Sequence, residues 1–233
     1  MIRIDNVSKR YGGTLVVDGV DLTLASGGLT SIIGPNGAGK STLLSMISRL
    51  IGMDAGTVTV DGLDVTRTPG DVLARRLSIL RQDNTMTARL TVRDLVAFGR
   101  YPHNKGRLTV DDGRHIDRAL AYQRAFVAMV LCQDTDYMLF DEPLNNLDIK
   151  HAVTMMRLLR RAAEDLGKTV VVVLHDINFA SCHSDRIIAM KNGRVAEQGS
   201  PEEIVRAEVL EAIYGTAFAI HMIDGQRIAT YFR

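Results

Sequence analysis

Nine consecutive residues, Gly34, Pro35, Asn36, Gly37, Ala38, Gly39, Lys40, Ser41 and Thr42, contain the pattern G-x-x-x-x-G-K-[ST], filled by the first eight. That pattern suits phosphate. Its glycines allow backbone angles closed to other residues, so successive N–H groups turn into one concavity, while Lys40 reaches β- and γ-phosphates and Ser41 offers a hydroxyl to Mg²⁺. Asp141 and Glu142 directly follow the apolar run YMLF. A carboxylate fixed at the end of a buried strand helps hold Mg²⁺, the role expected of Asp141, and its neighbour Glu142 becomes the candidate general base. His175 follows TVVVVL in the same way and could hydrogen-bond a γ-phosphate or an attacking water. Gln82, after the apolar segment 77–80, could reach Mg²⁺ or water through its amide oxygen, and Tyr11, beside two glycines, could stack on a base.

These residues need a scaffold that brings strand ends together. Segment 29–33 (LTSII) reads as a buried strand and 41–50 (STLLSMISRL) as a helix, so the phosphate loop joins the two and the helix N-terminus adds positive potential. Residues 137–140 and 169–174 are near-continuous apolar runs, the pattern of parallel strands buried on both faces. Early β-rich stretches cover 2–7, 20–24 and 57–60, and 187–190 leads through Lys191-Asn192-Gly193-Arg194 into a hairpin. Between them, 91–99 starts at a cap-like Thr91, and 111–131 carries Ile116, Leu120, Val127 and Leu131 at spacings of one helical face. The expectation is a mainly parallel α/β core interrupted by a smaller helical subdomain.

Bulk properties narrow the classes. The chain has 233 residues with 46% hydrophobic content, enough for one large domain with an insertion. A net charge of +1 gives no electrostatic case for nucleic acid. No apolar run approaches the roughly 18 residues of a membrane span, the start MIRIDNVSKR lacks a signal-peptide core, and Cys132 and Cys182 lack metal-ligand spacing. A soluble cytoplasmic protein is expected, with both cysteines as small buried apolar residues and any membrane association made through a partner. The segment Asn104-Lys105-Gly106-Arg107 lacks the Asp of the guanine-reading N-K-x-D pattern, which disfavours a GTPase.

Taken in order, RYGG with Tyr11, GPNGAGKST, LRQD with Gln82, YMLFDEP, LNNLD ending at Asp148, and VLHD with His175 resemble the ATP-binding subunit of ABC transporters over nearly the whole chain. Within that family, DEPLNNLDIKH, LHDINFASCHSD and MKNGRVAEQGSPEEI are most similar to the iron-siderophore importers. The resemblance implies an α/β fold with a P-loop NTPase (RecA-like) core, residues 1–85 and 133–233, an N-terminal antiparallel β subdomain and an inserted helical subdomain, residues 86–132. It implies ATP and Mg²⁺ as ligands, with Tyr11 and residues 34–42 binding ATP. Ser41, Gln82 and Asp141 then hold the metal, Lys40, Gln82, Glu142 and His175 serve hydrolysis, and Asp148 belongs to the D-loop. The implied partners are a second ATPase subunit in a homodimer, a two-subunit membrane permease docked near Gln82 and segment 83–100, and an extracytoplasmic substrate-binding protein. The place is the cytoplasmic side of the cell membrane, peripheral.

One departure stands out. The family's LSGGQ signature precedes the segment that here reads QRAFVAMVL, yet Tyr122 runs straight into Gln123. Similar proteins carry a further stretch of about 15 to 20 residues there, whose glycines meet the partner's γ-phosphate at a helix N-terminus. Two readings follow. Either the protein carries such a stretch that this sequence omits, which the intact hydrolytic set on both sides favours, or the deletion is real and leaves a nucleotide-binding module with little hydrolysis. The helical halves on either side meet with their apolar faces roughly in phase, so one continuous helix is sterically possible.

Overall fold

A computed structural model of the chain describes residues 1–82, 90–121 and 125–232. Its first unit is an antiparallel sheet. Strands β1 (Ile2–Tyr11) and β2 (Thr14–Leu24) form a hairpin turned by Gly12 and Gly13, and after β3 (Gly28–Ile33) and α1 (Lys40–Ile47) the chain adds β4 (Ala55–Val60) and β5 (Leu63–Asp64) in the order β2-β1-β4-β5. Alternation of buried Ile2, Ile4, Val20, Leu22, Leu24, Val58 and Val60 gives this sheet one apolar face, which packs with α1 through Leu43, Leu44, Met46 and Ile47.

The second sheet has six strands in the order β10-β9-β3-β8-β7-β6. Helix α2 (Gly70–Ala74) precedes β6 (Leu77–Leu80); α3 (Val92–Ala97), α4 (Tyr101–Asn104), α5 (Val110–Leu120) and α6 (Ala125–Cys132) come next; β7 (Tyr137–Asp141), α7 (Ile149–Glu164) and β8 (Thr169–Val173) follow. Then come α8 (Ile177–His183), β9 (Arg186–Lys191), β10 (Arg194–Gly199), α9 (Pro201–Ile204), α10 (Ala207–Tyr214) and the hairpin β11 (Ala219–Ile223) with β12 (Gln226–Thr230). Every pair in the six-stranded sheet is parallel except β9 with β10. All residues of β7 and β8 are buried, because α7 covers one face with Met155, Met156 and Leu159 while Leu139, Val171 and Val173 on the other join α1 and the antiparallel sheet. Each such large side chain withdrawn from water contributes about 1.5–3 kcal/mol, which is what holds the strand ends in place. The expected fold class is therefore found: a mainly parallel sheet, an N-terminal antiparallel unit and a helical insert.

The helical insert differs from expectation in one respect. Helices α5 and α6 pack side by side, with Ile116 and Ala119 meeting Ala128 and Cys132 around Val96 of α3, so the chain from 111 to 131 is not one continuous helix. A straight rod could not bring both apolar sets against the same α3 surface. The junction of Tyr122 with Gln123 lies outside the described residues. Elsewhere in the insert, Arg100 Nε donates to Asp112 Oδ1 at 2.8 Å with both side chains almost wholly buried, and Asp112 also accepts from Asn104 Nδ2 and Thr109 Oγ1. Burial alone would raise the Asp112 carboxyl, but Arg100 and the three donors from Thr109 and Asn104 outweigh it and hold that group well below the usual carboxylate range.

Cys132 is buried and its thiol is pushed up to about 11 by that burial. Cys182 is only half-buried, contrary to expectation, because Ile177, Ala180 and Ser181 take the inward face of α8. No helix among the described residues is long and apolar enough to cross a membrane.

Candidate functional site

Strand register assembles the site. Ile32 of β3 lies opposite Val173 of β8, Val173 opposite Asp141 of β7, and Phe140 of β7 opposite Leu80 of β6. The residues that leave these four strands next are the phosphate loop, His175, Glu142 and Gln82, so all emerge at one carboxyl edge of the sheet, the edge where α/β folds bind ligands.

The loop is shaped for an anion. Gly34, Gly37 and Gly39 all have positive φ, and a Cβ on Gly34 would run into the carbonyl of Met190. Helix α1 begins at Lys40 behind Gly39 with no side-chain cap and no acidic residue in its first turn. Its first N–H groups therefore remain available to an outside acceptor, at the positive end of the helix dipole. Lys40 is buried, and its ammonium donates to the carbonyls of Gly34 at 2.8 Å and Pro35 at 3.0 Å, closing the loop on itself. Burial lowers its pKa, partly offset by Glu142 and Asp141.

The loop is also braced from behind. Gly193 N donates to Ala38 O at 3.2 Å, and Asp18 N donates to Gly193 O at 2.9 Å. The Asn192-Gly193 turn, with both residues at positive φ, thus ties the phosphate loop to β2. The carbonyl of Val16 is wedged between two glycines, since a Cβ on either Gly39 or Gly193 would collide with it.

Ser41 Oγ donates to Asp141 Oδ1 at 2.8 Å. A hydroxyl and a carboxylate, both hard oxygen donors, therefore sit side by side at the start of α1, a pairing that fits Mg²⁺. No three His, Cys, Asp or Glu gather into a ligand cluster among the described residues, and Mg²⁺ needs none, because one or two carboxylates with substrate phosphates are its usual set. Burial raises the pKa of Asp141, the Ser41 hydroxyl opposes the shift, and Glu142 adds to it.

Glu142 turns out of the strand at φ +49° and is held at both oxygens. His175 Nε2 lies 2.7 Å from Oε1, and Asn145 Nδ2 donates to Oε2 at 2.5 Å. Gln82 lines a cleft of about 320 Å³ with Glu142, Asn145 and Phe126. Asp148 caps α7, accepting from His151 N and pairing with His151 Nδ1, both at 2.8 Å. Tyr11 is half-exposed at the end of β1 with Lys9 Nζ 5.7 Å from its ring centre. The site thus gathers Lys40, Ser41, Asp141, Glu142, His175 and Gln82, and neither Asp148 nor Tyr11 is among the residues lining the two clefts beside Glu142. Asn145 and Gly193 were not read as site residues from sequence; the Asn-Gly pair signalled only a hairpin, and Asn145 signalled nothing beyond a loop.

Together these features define a phosphate-loop nucleotide-binding cassette. Residues 17–145 match the family model described as ABC transporter. The chain is 51% identical to the petrobactin import ATP-binding protein YclP of Bacillus subtilis, with all of both chains covered, and 47% identical to the petrobactin import ATP-binding protein FatE of Bacillus anthracis over 94% of this chain and 96% of that one. Among solved structures it resembles the ATP-binding cassette MJ0796, a dimer in a post-hydrolysis state bound to ADP and phosphate, with 27% identity and a TM-score of 0.76 over 86% of this chain and 99% of that one. The chain belongs to the ABC transporter family and is its ATP-binding ATPase subunit. The alignment with YclP runs over 251 positions against the 233 residues here, so the relative carries roughly 18 positions that this chain lacks, the scale of the family difference noted at Tyr122 and Gln123.

Proposed function

We propose that this chain hydrolyses ATP with Glu142 as general base and so drives uptake of iron-siderophore complexes of the petrobactin type. The observation that carries the hydrolytic reading is the Glu142–His175 pair at 2.7 Å beside Ser41 and Asp141 on one sheet edge. Glu142 accepts a proton from water as the water oxygen bonds to the γ-phosphorus and the bond to the bridging oxygen breaks. Lys40 and the uncapped N–H groups of α1 stabilise charge on the phosphoryl oxygens, and His175 keeps the carboxylate turned toward its water. Ser41, Asp141 and Gln82 would hold Mg²⁺, which supplies charge neutralisation at the phosphates when bound. Tyr11 stacks on the nucleotide base of ATP and Asp148 faces the second subunit.

The petrobactin reading rests on the full-length likeness to YclP and FatE. It acts as a homodimer on a two-subunit permease at the cytoplasmic face, with an extracytoplasmic binding protein delivering the cargo. Residues 86–132 form the helical subdomain, and the permease docks near Gln82 and segment 83–100, of which 83–89 lie outside the described residues. Glu142→Gln tests the centre of this reading: ATP binding is retained while turnover drops at least a hundredfold in a phosphate-release assay, and wild-type turnover would remove Glu142 as the base.

A further inference from the structure

Glu142 carries two tethers, and only the one to His175 belongs to the scheme above. Asn145 supplies the other. The acceptor is a carboxylate, so only the amide nitrogen of Asn145 can face it, and the hydrogen bond has one sensible assignment. The turn that makes this contact is built into the backbone. Asn145 N donates to Glu142 O at 3.2 Å across a four-residue turn with Pro143 in its second position, where proline is favoured. Leu144 and Leu147 then pack against the main core and fix the turn from below. A side chain three residues beyond Glu142 is thereby returned to its carboxylate.

The same two residues separate two clefts. One, of about 280 Å³, contains His175; the other, of about 320 Å³, contains Gln82; Glu142 and Asn145 line both. With His175 on Oε1 and Asn145 on Oε2, rotation of the carboxylate about its terminal bond is stopped, yet each oxygen retains a lone pair for water. We propose that Asn145 is a positioning residue for hydrolysis, one that locks the Glu142 carboxylate plane between the two clefts. Asn145 touches no reacting atom and acts through Glu142. The inference rests on Glu142 being the base.

The experiment is steady-state ATP hydrolysis with ATP varied, in the full chain, for wild type, Glu142→Gln, Asn145→Leu, Asn145→Gln and Asn145→Asp, with equilibrium ATP binding measured alongside. Leucine keeps the size and branching of asparagine without the donor. The expected result is a kcat about tenfold lower in Asn145→Leu with KM and ATP affinity within about twofold, the size of effect typical of groups that orient a reacting side chain. Asn145→Gln, which retains an amide, should recover a substantial part of the lost kcat, and Asn145→Asp, which sets a second carboxylate against Glu142, should fall at least as low as the leucine variant. An unchanged kcat in Asn145→Leu, a glutamine variant no better than leucine, or a loss confined to KM overturns the role of Asn145 while leaving Glu142 as the base. Wild-type turnover no faster than Glu142→Gln overturns both.

Discussion

The place proposed for Asp141, as a ligand to Mg²⁺, is one that stability alone would not choose. Burial raises its pKa above the ordinary value of 3.8, so its contribution to folding is fully present below that value and is lost as pH rises through the folded one. At neutral pH the buried charge is a net cost. Asp141→Asn keeps an acceptor for Ser41, so the variant should melt about 2–4 °C higher at pH 7.5 in calorimetry, with the gain shrinking toward pH 4, and should lose Mg²⁺-dependent nucleotide affinity. A lower melting point at pH 7.5 would contradict that cost. Lys40, Ser41, Asp141, Glu142 and His175 were legible in the sequence because each follows directly on an apolar strand or a glycine-rich loop, where side-chain type and position decide the chemistry. Asn145 was not, since its contact depends on a turn whose φ at Glu142 is +49° and no periodicity encodes that angle.

At the level of elements, the helical insert depends on one buried ion pair. Arg100 and Asp112 lie in the angle between α4 and α5 and satisfy each other out of contact with water. Asp112 titrates well below its ordinary range, so its contribution is fully present above the unfolded value of 3.8 and is lost only as pH falls through the folded one. Removing the guanidinium strands a buried carboxylate. Arg100→Met should therefore cost about 3 kcal/mol in urea unfolding at pH 7.5, and a loss under about 1 kcal/mol would mean that Asn104 and Thr109 suffice alone. The capping box of Thr91 with Asp94 was visible in the sequence as a cap-like threonine, because capping is local chemistry. The fold-back of α5 on α6 was not. Both helices carry apolar residues in phase, and only their shared contact with Val96 of α3 decides between a rod and a packed pair.

For the whole molecule, two chains must meet if the trans half of each site is to be supplied, and rate against concentration reports that meeting. ATPase activity of the isolated chain should rise with the square of protein concentration at low micromolar levels, as a productive dimer requires, whereas a rate merely proportional to concentration and near background would support the binding-only reading. The parallel sheet and its helical insert were readable from apolar runs and turn signals. Assembly was not, because it is carried by surfaces that composition does not mark. Finally, the Val16 carbonyl, pinned between Gly39 and Gly193, belongs to the antiparallel sheet that also ends in Tyr11. The strand that seats the phosphate loop is thus the one whose first residue, Thr14, pairs with Tyr11. If Tyr11 meets the nucleotide as proposed, a change that shifts β2 should disturb the grip on phosphate and the placement of Tyr11 together.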